Sequence, residues 1–159
     1  MSTSRLPVHQ LSKVPFAKLF DLSQAAAKES IEASLVHLID IRASQLNGCG
    51  FCLDMHVKQA TLHGERPLRL LHVEIWREST LFTPREKLAL EWTEAVTTIA
   101  SGVSDELFER ARAVFSEKEL SDLTMLVGVI NLWNRLNVTG RTVPGSRDAE
   151  LGVSKSGLA

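Results

Sequence analysis

Cys49, Cys52 and His56 stand in the pattern C-x-x-C-x-x-x-H. On a helix, residues three and four apart share a face, so these side chains form one line along a helix that opens after Gly48. Two thiols one turn apart can close a disulfide with little backbone movement when the first lies in the loosened N-terminal turn. The unpaired N–H groups of a helix start, the macrodipole and an imidazole four residues on all favour a thiolate, here expected at Cys52. Such a dithiol attacks an electrophilic oxygen or sulfur, becomes a sulfenate or mixed disulfide, and is resolved by the neighbouring thiol. The plainer alternative is a pair of small core packers, because free cysteine is among the most buried residue types. A zinc site made of Cys49, Cys52, His56 and His63 fails on distance. Fourteen residues of continuous helix separate Cys49 from His63, about 21 Å, against ~4 Å between ligands of one ion.

The elements that must hold this line read as helices. Pro15 to Ser34 carries Phe16, Leu19, Phe20, Leu22 and Ala26 on one side and predicts a single helix. Leu35, Leu38, Ile39, Arg42, Ala43 and Leu46 continue a 3.6-residue stripe to Asn47-Gly48, a pair suited to a turn. The next helix runs from Cys49 to a C-terminal cap at Gly64, and Pro67 to Trp76 reads as one or two helical turns. Thr83-Pro84-Arg85-Glu86 combines an N-cap, a proline at the first helical position and a glutamate three after the cap, ahead of Leu88, Trp92, Ala95, Val96 and Ile99. Ser104-Asp105-Glu106 opens another helix. Ser116-Glu117-Lys118-Glu119 starts a last one through Leu120, Leu123, Val127, Ile130 and Trp133 to about Val138, with Gly140 as its expected stop. No segment alternates like a strand, so the chain is predicted to be all-α, a single-domain bundle of about six to eight helices. Residues 1–14 form an N-terminal arm, 15–140 the helical domain, and 141–159, rich in Gly, Ser and charge, a surface arm or tail.

Composition narrows the partners. At 159 residues the chain is one domain, able to bury a core without staples. Eighteen Lys and Arg against 19 Asp and Glu give a net charge of −1, which argues against nucleic acid or an anionic membrane as partner. Two cysteines exclude a disulfide scaffold, and the first residues lack a signal-peptide apolar run, so a cytoplasmic setting is expected. The longest chargeless stretch, Leu123 to Asn134, falls well short of the ~20 residues of a membrane span.

The run Ile41-Arg42-Ala43-Ser44-Gln45-Leu46-Asn47-Gly48-Cys49-Gly50-Phe51-Cys52-Leu53-Asp54-Met55-His56 resembles the core motif of the alkylhydroperoxidase D-like branch of the carboxymuconolactone decarboxylase family. Trp76-Arg77-Glu78, Phe82-Thr83 with the helix behind it, and Ile130 to Asn137 resemble that branch too, so the likeness covers about residues 37–138. It implies a helical protomer assembling into trimers or hexamers, and a peroxidase reaction run by the cysteines and the histidine without an organic cofactor or metal. In that pattern Cys52 is the thiol that His56 activates and Cys49 its disulfide partner, with the order of attack open. The decarboxylase branch, which lacks the paired cysteines, is disfavoured.

One position departs from the pattern. The family carries a glutamate twelve residues before the first cysteine, which receives the histidine's proton through a water; here that position is His37. If the helices flanking Asn47-Gly48 form an antiparallel hairpin, His37 lies near His56, and a His37–water–His56 relay is the functional reading. An accidental match is the other. A second imidazole accepts a proton but supplies no fixed negative charge. Asp40, one turn on from His37, is a candidate for the missing charge, as is Asp54, although Asp54 points away from Cys52. His63 and His72 read as solvated, and His9 as part of the arm. Trp76, Trp92 and Trp133 read as core or subunit contacts rather than a substrate channel. Asn131, Asn134 and Asn137 line one helix face, suited to capping or subunit contacts. The resulting expectation is a thiol-dependent peroxidase acting on hydrogen peroxide or organic hydroperoxides, with an external dithiol as reductant. A dithiol–disulfide oxidoreductase and a non-catalytic redox-sensing oligomer are the alternatives.

Overall fold

A computed structural model describes residues 4–158. Their α-helices are α1 (Val8–Leu11), α2 (Lys13–Ala26), α3 (Ala33–Leu46), α4 (Gly50–Leu62), α5 (Pro67–His72), α6 (Pro84–Thr97), α7 (Asp105–Arg112) and α8 (Glu117–Gly140). No strand occurs among the described residues. None of these helices is long and apolar enough to cross a membrane.

Helix α3 sits at the centre because apolar residues run round most of its circumference. Leu35 through Ile39 are buried in succession, and Leu35, Leu38, Ile39, Ile41 and Ala43 have no exposed surface. It packs against α4, α6 and α8, which cover it on three sides. The α3–α4 hairpin turns at Asn47-Gly48, where Gly48 has φ +64°, a backbone conformation that suits glycine. Both expected capping boxes are present. Thr83 accepts from Glu86 N–H while Glu86 accepts from Thr83 N–H, and Ser116 and Glu119 do the same at the start of α8. A charged hub ties α3 to α6: Glu94 accepts from Arg42 at 2.7 Å and from the Trp76 indole at 2.8 Å, and it pairs with Arg77 at 2.6 Å.

Three boundaries differ from the sequence reading. The single helix expected from Pro15 to Ser34 ends at Ala26, because Ser30 is drawn out to Asp122 of α8, its N–H and hydroxyl donating to Oδ2 at 3.2 and 2.5 Å. Glu32, in extended conformation, then stands at the N-cap position of α3 with its carboxylate turned to Arg85. At the other end, Arg141 rather than a glycine takes the left-handed conformation. Gly140 serves a close approach instead, since a Cβ there would lie 2.9 Å from the Leu6 carbonyl. The segment after Arg141 runs back over α4 in turns. Lys58 donates to Asp148 at 2.7 Å, Gly145 N–H donates to Asp54 at 3.1 Å, and Val153 is buried.

Candidate active site

The turn at Gly48 delivers Cys49 to the N-cap of α4. There its Sγ accepts the Cys52 N–H at 3.3 Å, the bond a serine or aspartate would take at an ordinary cap. Both cysteines are thiols, each at most 2% exposed, in a small apolar cluster with Ala43, Phe51 and Ile130. This geometry corrects the expectation of a thiolate at Cys52. The free N–H groups of the helix start converge on Cys49, one residue before the first helical turn, while Cys52 is already inside it. The Cys49 thiol is pulled down to about 7, chiefly by hydrogen bonding from the Cys52 thiol, with the Cys52 and Phe51 N–H groups and the Asn134 amide adding to it. Cys52 is pushed up, by donating to Cys49 and by burial.

His56, one turn beyond Cys52, is buried, and burial pulls its imidazole down to about 4. Asp40 of α3 faces it, Oδ2 lying 3.4 Å from His56 Nδ1 but off a hydrogen-bonding line, so Nδ1 has no partner. Burial pushes the Asp40 carboxyl up to about 8. At pH 7 both groups are therefore neutral, with the carboxyl protonated. Of the two carboxylates considered for the site, Asp40 is the one that reaches it. Asp54 bonds Lys58 at 2.8 Å and the backbone at Gly145.

His37 lies one turn before Asp40 and is buried. Its Nε2 meets His63 Nδ1 at 2.6 Å, and the rings stack with centroids 4.8 Å apart. Its Nδ1 is buried and unpartnered, and burial followed by the neighbouring imidazoles of His63 and His56 pulls it down to about 4. His63, expected only as a solvated residue, is exposed but is the partner of His37. His72 is half-buried, with Nδ1 at 3.0 Å from the Ser79 hydroxyl.

Residues of α8 complete the site. Asn131 and Asn134 are buried rather than available to another subunit, and both accept from Asn47 Nδ2, at 3.0 and 2.9 Å, bracing the hairpin turn. Asn137 approaches the reactive pair itself, Nδ2 standing 3.6 Å from Cys52 Sγ. The three-residue spacing of these asparagines marked a common face; which helix that face meets is a tertiary matter. A cavity of about 240 Å³ opens beside Cys49, walled by Phe51, Asn137, Arg141 and Pro144. A second, of about 180 Å³, lies across Asn137 between Phe16, Trp133 and Leu136. Trp76 and Trp92 are core residues, whereas Trp133 lines this second cavity, held by a 2.7 Å bond to Ser23. Among the described residues no cluster of side chains has the arrangement of a metal site.

Comparison with known proteins gives the family. The model of the carboxymuconolactone decarboxylase family matches residues 16–95. The chain belongs to that family. It is 35% identical over 137 residues to the uncharacterised protein YdfG of Bacillus subtilis, covering 86% of this chain and 93% of that one. A protein of unknown function from Agrobacterium tumefaciens, for which a role in antioxidant defence as an AhpD has been suggested, superposes with TM-score 0.86 at 36% identity, over 89% of this chain and 98% of its own. An uncharacterised peroxidase-related protein from Ralstonia eutropha, described as an alkylhydroperoxidase AhpD core, shares the fold with TM-score 0.76 at 20% identity, over 87% of this chain and 75% of its own. The AhpD-like helical fold expected from the motif is the fold of this family member.

Proposed function

We propose that this protein is a thiol-dependent peroxidase of the alkylhydroperoxidase type, with Cys49 and Cys52 cycling between dithiol and disulfide. The observation that carries the reading is the seat of Cys49. It is a thiol at a helix N-cap, ionised in part at neutral pH, within bonding reach of a second thiol and open to a cavity large enough for a small hydroperoxide. His56 provides a buried imidazole that can take a proton and Asp40 a buried carboxyl that can give one, and His37 with His63 connects them to the surface. Nothing in the cycle calls for an organic cofactor or metal. The disulfide is returned to the dithiol by an external dithiol, which fits a reducing, cytoplasmic setting. The chain is taken to work as a homo-oligomer. Leu68, Leu71 and Ile75 stand exposed together near the end of α5, and light scattering on wild type and Leu71→Glu tests that assembly.

The test is consumption of hydrogen peroxide and cumene hydroperoxide by purified protein with excess dithiothreitol. Sustained turnover in wild type, lost in both Cys49→Ser and Cys52→Ser, is the expected result. Faster reaction with a model disulfide than with either peroxide would make the protein a dithiol–disulfide oxidoreductase. Consumption that stops at one equivalent would make it a sensor.

A further inference from the structure

The cavity of about 180 Å³ lies where α1 and the C-terminal segment come together over α2 and α8. Phe16 of α2 and Trp133 and Leu136 of α8 give it an apolar side. The Phe16 and Trp133 rings meet edge to face with centroids 5.0 Å apart, and the Trp133 indole N–H is already taken by Ser23 at 2.7 Å. His9 of α1 and the guanidinium of Arg147 flank Phe16, 6.0 and 5.9 Å from its ring centroid. Arg147 is held in turn by Glu150, its Nε donating at 2.8 Å, so neither of these two charges is left free for an ionic ligand. Such a wall suits an uncharged guest with an aromatic ring, which can extend the edge-to-face packing of Phe16 and Trp133. Size limits the guest further. An apolar cavity of about 150 Å³ is enough to hold benzene, so this one takes a single ring.

Asn137 joins this cavity to the reactive pair. It lines both spaces, as Thr142 does, and Cys49 lines the other. The Asn137 amide donates to the Trp133 carbonyl at 3.0 Å and stands 3.6 Å from Cys52 Sγ. Among the described residues no donor meets its Oδ1, which is therefore able to accept from a ligand. Hydrogen peroxide has no organic part to set against an aromatic wall one side chain away from the thiols. We propose that the 180 Å³ cavity seats the organic group of the substrate, an uncharged hydroperoxide carrying one aromatic ring, whose peroxide end passes Asn137 toward Cys49. This rests on the peroxidase reading and adds the substrate class. The O–H of the hydroperoxide donates to Asn137 Oδ1, and the ring lies against Trp133, Phe16 and Leu136.

The probe is cumyl alcohol, the product that cumene hydroperoxide leaves on reduction, which binds without reacting. Titrated into reduced protein, it should shift the indole N–H resonance of Trp133 saturably in NMR spectra while that of Trp92, in the core, stays in place. Leu136→Trp, which fills the cavity, should weaken binding by roughly ten- to a hundredfold, and Leu136→Phe repeats the measurement if the larger ring disturbs folding. In turnover, kcat/KM for cumene hydroperoxide relative to that for hydrogen peroxide should fall by a similar factor in the filled variant. Four results overturn the proposal: no saturable shift at Trp133, tighter binding of phenylacetate than of cumyl alcohol, tert-butanol binding as tightly as cumyl alcohol, or a ratio of the two peroxides untouched by filling. A protein that reduces no peroxide yet binds cumyl alcohol at Trp133, and loses that binding in Leu136→Trp, would instead refute the peroxidase reading and keep the cavity as a site for a neutral aromatic ligand.

Discussion

Asp40→Asn separates a neutral Asp40–His56 pair from an ionic one by its effect on stability. Burial raises the Asp40 carboxyl from 3.8 to about 8, so the folded protein keeps a proton that the unfolded chain releases above pH 4. Between those values the unfolded state binds fewer protons, and rising pH therefore favours unfolding by roughly 1.4 kcal/mol per pH unit. The stability held at this carboxyl is complete below about pH 4 and is lost as pH climbs through 8. From pH 5 to pH 7 the loss comes to roughly 2.5 kcal/mol, a sizeable share of the ~5–15 kcal/mol that holds a typical domain together. His37 and His56 act in the opposite direction. Their values are lowered from 6.5 to about 4, so what they contribute is present above pH 6.5 and lost as pH falls. Asparagine copies the neutral carboxyl and has no proton to hold, so the histidine contributions are common to both proteins and cancel in their difference. Urea denaturation of wild type and Asp40→Asn at pH 5, 6 and 7 should show the variant gaining on wild type by about 2.5 kcal/mol across that range, mostly above pH 5. A difference that stays flat between pH 5 and pH 6 means that Asp40 is an ionised carboxylate paired with a His56 imidazolium, and one in which wild type gains as pH rises equally rules out a carboxyl held protonated by burial. The neutral account of the site would then be abandoned.

Other perturbations test the frame around the site. Leu35→Ala, at a position with no exposed surface in the central helix, should cost roughly 2–5 kcal/mol in denaturant unfolding without altering iodoacetamide reactivity at Cys49. Lys58→Met removes the cation shared by Asp54 and Asp148, and should cost roughly 1–3 kcal/mol while raising amide exchange in residues 145–153 above that of the helices. Gly140→Ala places a methyl 2.9 Å from the Leu6 carbonyl and should release residues 4–6 from the end of α8, seen as new tryptic cleavage at Arg5. His37→Ala removes the ring stacked on His63, and the His63 resonances should move in NMR spectra while those of His72 stay in place.

The all-helical fold was legible because its signals are local. Thr83 and Ser116 each recruit a glutamate three residues on, and Gly48 supplies the turn, whatever the rest of the chain does. The break between α2 and α3 was not legible, since it depends on Ser30 meeting Asp122 across 92 residues. The line of Cys49, Cys52 and His56 was readable from spacing within one helix. Its assignment of charge was not, because a one-residue shift of the helix start makes Cys49 the N-cap, whose sulfur accepts the Cys52 N–H. Nor could spacing reveal that His63 belongs with His37, or that Asn137 touches Cys52, because each pair joins two elements whose register is set by packing.

Position 37 looked at first like the weakness of the site, a histidine where the family pattern has a carboxylate. The hairpin changes the question. His37 and Asp40 are three residues apart on α3 and so share the face turned to α4, and it is Asp40 that meets His56 at 3.4 Å. A carboxyl is still within reach of the imidazole, one turn further along the same helix, and it is deep enough to stay protonated. Position 37 is thereby free for a group with two nitrogens, one turned inward and one bonded to exposed His63. A carboxylate at 37 would sit beside His63, favour its imidazolium form and fix a charge at the outer end of the chain of groups. An imidazole leaves that end able to exchange protons in either direction. His37→Glu should consequently raise the proton affinity of His63, read as an upward shift in its NMR titration midpoint, and leave Cys49 the more readily alkylated thiol. A midpoint unchanged by the substitution would detach His37 from His63, and with it the idea that this pair links the buried group to the surface.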